Sequence, residues 1–130
     1  MIFRYKNSGF GKPGPIAPIR LKGQRRWILF HAFVDSGADY SIFHSRVALL
    51  LGINPRNGVK RNVTVGDGDM MTAYLHKLPV QFAGQSFEAT IAFSDDLGEG
   101  FNLLGRETFF EKFQVCFNDR NKILRVTRLL

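Results

Sequence analysis

An aspartate at the end of an apolar run constrains this chain more than any other feature. Phe33-Val34-Asp35-Ser36-Gly37-Ala38-Asp39 leads apolar side chains directly into a hydroxyl, a glycine and an alanine. Asp and Ser cap turns, and Gly adopts conformations closed to other residues. The Asp35 carboxylate therefore leaves a buried strand and enters a tight turn, held by polar groups rather than by bulk water. Asp-Ser-Gly alone is an ordinary turn. A second segment gives it meaning: Asn102-Leu103-Leu104-Gly105-Arg106 sets two aliphatic residues before a glycine, far downstream.

Between and around these segments the pattern is that of short strands. Ile19, Leu21 and Gly23 alternate with Arg20, Lys22 and Gln24, the period-2 signature of a half-buried strand. Val63–Val65 and Thr72–Leu75 flank Gly66-Asp67-Gly68-Asp69, which predicts a β-hairpin with turn residues at its tip. Val80–Phe82 and Phe87–Phe93 predict another around Ala83-Gly84-Gln85. His44–Gly52 reads as one short helix, with Ser45 as N-cap and Gly52 as its stop. Arg106–Phe113 reads as a second, its apolar stripe made by Phe109, Phe110 and Phe113. Residues 1–18 carry so many Gly and Pro that an irregular arm is expected, and 119–130 a C-terminal extension ending in a strand. The whole is expected to be a single domain, mainly β.

Composition narrows the function classes. At 130 residues the chain can bury a real core, and no apolar run approaches the length of a membrane helix. Without an apolar N-terminal leader, a soluble, cytoplasmic protein is the expectation, with no membrane partner. Cys116 is the single cysteine, which rules out an intrachain disulfide or a Cys-based zinc site. Set among Phe113, Val115 and Phe117, it reads as a small buried hydrophobe. His31, His44 and His76 have no metal-ligand spacing, so neither metal nor cofactor is expected. The net charge of +7 is spread in pairs rather than runs. A solvated basic surface is the reading, and nucleic acid is not the expected partner.

In order and spacing, these segments resemble the retroviral-type aspartic proteases, the retropepsin family. Ile19–Gln24 resembles the family's first hairpin, returning through Arg26–Val34 to the catalytic loop. Leu78–Gln85 is similar to the strand and turn after its flap, and Ala89–Phe93 to the next strand. Leu103-Leu104-Gly105-Arg106 is similar to its aliphatic-aliphatic-Gly-Arg signature, and Gln114–Phe117 to its closing strand. The likeness spans about residues 19–118. It departs in the added helix after Asp39 and in a shorter, more acidic flap.

The resemblance implies a retropepsin-like closed barrel or sandwich with a flap, and a peptidase using two carboxylates. One water must be deprotonated while the peptide carbonyl oxygen is protonated, and paired aspartates sharing a proton do both. The chain offers one suitable aspartate, Asp35. Asp67, Asp69, Asp95, Asp96 and Asp119 lie in polar loops with no apolar strand leading in. A C2 homodimer is therefore expected, acting on peptide or unfolded protein. By resemblance Ser36 would bond across the two-fold axis, and Gly37 would admit close backbone approach. Ala38 would leave the cleft floor open, and Asp39 would pair with Arg106 and receive substrate backbone. Gly66, Asp67, Gly68, Asp69 and Met70 would close over substrate, and Leu103, Leu104 and Gly105 would support the loop. The rival reading is a non-catalytic dimer of the same fold that binds protein or peptide.

Overall fold

The computed structural model describes residues 1–8, 11–64, 68–98 and 102–130. Alternation sets the first long hairpin. β4 (Ile16–Lys22) buries Ile19 and Leu21 and exposes Arg20 and Lys22, and it runs antiparallel to β5 (Trp27–Val34). After residues 35–40 come β6 (Ser41–His44) and α1 (Ser45–Leu50). β7 (Val59–Thr64) and β8 (Met70–Phe82) form the next hairpin, with Thr64 opposite Met70. β8 continues into pairing with β9 (Gln85–Ser94). The two hairpins read separately from the sequence thus share one thirteen-residue strand.

A two-residue strand, β10 (Leu103–Leu104), slots parallel to β5 and antiparallel to β6. The resulting order is β4-β5-β10-β6-β9-β8-β7, and a β4–β8 pairing closes the first six into a barrel. β7 hangs outside that ring. The fold is mainly β. Ile19, Leu21, Phe43, Val80, Phe82, Ile91, Phe93 and Leu104 fill the main core. A smaller cluster of Ile42, Val63, Ala73, Ala92 and Leu97 sits under the β7–β8 hairpin. No helix among the described residues is long and apolar enough to cross a membrane.

Several expectations are corrected here. Residues 1–18 are not simply irregular: β1 (Ile2–Arg4) pairs with β12 (Ile123–Arg128), and Lys6–Asn7 pairs with Pro13–Gly14. Proline and glycine break long strands but leave room for strands of two or three residues. β12 also pairs with β11 (Phe113–Asn118), making a second sheet, β1-β12-β11. The expected second helix over Arg106–Phe113 is present but short and kinked, and the strand β11 takes over at Phe113. Glu107 is extended and Thr108 has φ 71°, ψ −57°, close to a strained γ-turn. Thr108 N–H donates to Glu111 Oε1 (2.7 Å), while its hydroxyl accepts from Thr90 N–H. Phe109 and Phe113 still reach the core, in edge-to-face contact with Phe82. The cap of α1 is His44, whose Nδ1 accepts from Arg46 N–H, and Ser45 is buried inside the helix. Cys116 is exposed rather than buried, because strand alternation sends Phe113 and Val115 inward and Gln114 and Cys116 outward.

Candidate active site

β5 delivers Asp35 to the rim of the barrel. Two crossing backbone bonds fix the strand's end: Val34 N–H donates to the Pro15 carbonyl, and Asp35 N–H to the Leu104 carbonyl, both at 2.9 Å. The chain then turns, with Ala38 N–H reaching back to the Asp35 carbonyl (3.2 Å). Gly37 N–H donates to Asp35 Oδ1 at 2.9 Å, a charge-assisted bond that orients the carboxylate. A β-carbon on Gly37 would stand 3.2 Å from that same oxygen. Asp35 is half-buried, and Ser36 and Gly37 are exposed. The Ser36 hydroxyl makes no hydrogen bond among the described residues.

The second sequence signature lies directly beneath. Arg106 N–H donates to the Ala38 carbonyl and Glu107 N–H to the Asp39 carbonyl, both at 2.8 Å. Gly105 N–H donates to the buried Ser41 hydroxyl. No side chain fits at Gly105, since a β-carbon would lie 2.3 Å from the Tyr40 carbonyl oxygen. Leu104 is buried and Leu103 half-buried. The structure brings these residues together, and two of the expected roles do not match their placement. Ala38 is 1 % exposed and packs in the core instead of floring a cleft. Asp39 and Arg106 are both exposed and form no ion pair among the described residues. Their segments are joined through backbone, which needs no particular side chain.

A cavity of about 520 Å³ opens at the loop, lined by Pro15, Phe33, Val34, Asp35, Ser36, Leu103, Phe117 and Asp119. Its walls are largely apolar, with carboxylates from two distant parts of the chain. Phe117 and Asp119 were not among the residues singled out from sequence. Alternation from Phe113 and Val115 would turn Phe117 inward, yet it is 41% exposed, so no local signal marks it. Asp119, in a polar loop, carries no local sequence signal for a site. Its Oδ1 accepts from the Tyr5 hydroxyl at 2.7 Å. Burial, then that bond and the charge behind it, push the Tyr5 pKa up to about 12.

Solved structures resemble the chain, one of them over almost its whole length. This one is the retroviral protease-like domain of Ddi1 from Leishmania major, with 22% identity and a TM-score of 0.47. The likeness covers 92% of this chain and 97% of that one. No protein-family model matches the chain, and no curated protein matches it.

The hairpin residues stand apart from this cavity. Gly68, Asp69 and Met70 are exposed and do not line it. Gly66 and Asp67 lie outside the described residues. Among the described residues no cluster of His, Cys, Asp and Glu is arranged to hold a metal ion.

Proposed function

We propose that this chain is an aspartic endopeptidase, active as a two-fold homodimer in which each protomer supplies Asp35. One observation carries the reading: a half-buried carboxylate oriented by the Gly37 N–H, on a residue whose backbone N–H is held by the Leu104 carbonyl, at the mouth of an apolar cavity. Two such groups across an axis cannot both ionise, so they share a proton. The ionised one accepts a proton from water, and the protonated one donates to the peptide carbonyl oxygen. Apolar walls at Phe33, Leu103 and Phe117 suit large apolar side chains of an extended peptide.

The partner has a place to dock. β11 is an edge of the sheet β1-β12-β11, and Phe117 on it is 41% exposed beside Asp35. Unpaired strand edges with exposed apolar side chains favour association. A second copy there would cover Phe117 and bring its own loop towards the axis. Ser36, whose hydroxyl makes no hydrogen bond among the described residues, would bond across it. The β7–β8 hairpin, tipped by Gly68, Asp69 and Met70, would close over the peptide.

The test is cleavage of a mixed peptide library across mildly acidic to neutral pH, at high protein concentration, beside Asp35→Asn. Cleavage by the wild type alone supports the reading. A stable dimer without cleavage by either protein overturns it in favour of a peptide-binding module.

A further inference from the structure

The charge of this chain is unevenly placed. Residues 1–34 and 40–66 contain no acidic side chain. The two elements that meet at the far end of β5 come from these stretches: the β4–β5 turn and the C-terminal end of α1. There Arg25 and Arg26 are exposed and have no carboxylate partner among the described residues. Beside them α1 turns outward Leu49 and Leu50, 65% and 61% exposed. Helix interiors bury leucine, and adjacent leucines left this open on a basic ground are an unusual pairing.

The patch is also preformed. Gln24 N–H donates to the Leu51 carbonyl (3.0 Å), and Gly23 N–H to the Arg26 carbonyl (2.9 Å). Gly23 packs so closely that a β-carbon would lie 2.3 Å from the Leu51 oxygen. Turn and helix end are thereby clamped, and between them lies a cavity of about 400 Å³ lined by Gln24, Arg25, Arg26, Leu50, Leu51 and Gly52. It stands at the opposite end of the eight-residue β5 from Asp35, roughly 25 Å away at strand rise.

We infer that this concavity is a docking site for an acidic, extended peptide segment of a partner protein, anchored by one aliphatic side chain. Each guanidinium offers a fork of donors matched to a carboxylate. Leu50 and Leu51 supply the apolar wall for the anchor. A membrane would favour a convex apolar face, whereas here Leu50 lines a concavity beside two arginines. A single-stranded nucleic acid would require aromatic faces in the hollow, and none lines it. The site is independent of turnover at Asp35.

The experiment measures anisotropy of labelled peptides in which Asp and Glu flank one Leu, using the full chain with Asp35→Asn so that no peptide is cut. Saturable, salt-sensitive binding is expected. Arg25→Glu with Arg26→Glu should weaken it at least about tenfold, the loss of a charged hydrogen bond. Leu50→Ser should weaken it at unchanged charge, and replacing the peptide's Leu with Ser should do the same. Arg120→Glu with Arg125→Glu makes an equal charge change on another face and should leave binding within about twofold. Equal weakening by that control would reduce the effect to diffuse charge and overturn the proposal. So would an absence of binding across the peptide set, or binding to phosphatidylserine vesicles without binding to peptide.

Discussion

Asp35 and Gly105 lie on the same few backbone bonds yet predict opposite kinds of failure. Asp35→Asn keeps the size of the side chain and an acceptor for the Gly37 N–H, so stability should hold. Peptide turnover should fall by about 10²–10⁴-fold, the usual worth of acid–base catalysis, as read by initial rates on one cleaved peptide. Gly105→Ala forces a β-carbon against the Tyr40 carbonyl. Overpacking of this kind costs about 1–3 kcal/mol, and urea denaturation should show the loss directly. Tyr5 makes a third prediction. Its folded pKa of about 12 lies above the unfolded value of 10.0, so the unfolded chain sheds that proton first as pH rises. The stability it contributes is complete below pH 10 and lost between about pH 10 and 12. Phenolate absorbance should show one late-titrating tyrosine, and Asp119→Asn should bring it earlier.

At the scale of elements, the sequence was legible where side chains alternate and where glycine is indispensable. Ile19 and Leu21 declared β4, and the Asp35 loop with Leu104–Gly105 declared the crossing that fixes β5. What escaped were contacts between chain ends. Nothing local in Ile2-Phe3-Arg4 says that it pairs with Ile123–Arg125, because strand partners far apart in sequence leave no mark within either segment. The aromatic spacing of Arg106–Phe113 gave the helix but not its kink at Glu107–Thr108, nor the strand that begins at Phe113. The expected Asp39–Arg106 pair failed for a related reason: backbone bonds had already joined those segments. Phe3 tests the unforeseen sheet. It stacks on Phe82 at 6.2 Å, and Phe3→Ala should cost about 1–2 kcal/mol for a partly buried aromatic, measured by chemical denaturation.

For the whole molecule, the proposed activity depends on concentration as well as on residues. A site assembled from two copies disappears on dilution, so the rate per chain should fall below the dimer dissociation constant. Phe117→Lys places a charge on the β11 edge beside the cavity. It should weaken dimerisation by about 2 kcal/mol or more, the scale of an interface hot spot, while the monomer keeps its circular dichroism. Sedimentation equilibrium separates the two effects, and an unchanged dimer would move the interface elsewhere.

The shared strand β8 has a mechanical consequence. From Tyr74 to Phe82 it is paired with β9 inside the barrel, whereas Met70–Ala73 is paired with β7 alone. The hairpin is thus a cantilever whose beam is built into the wall. Two bonds weld its root: Ser94 Oγ–H to the Thr72 carbonyl at 2.7 Å, and Thr72 N–H to Asp96 Oδ2 at 3.1 Å. Such a beam bends along its length instead of swinging at a joint, and its stiffness is set at the clamp. Amide exchange should then grade smoothly from slow at Leu75 to fast at Met70, and Ser94→Ala should soften the beam without touching its tip.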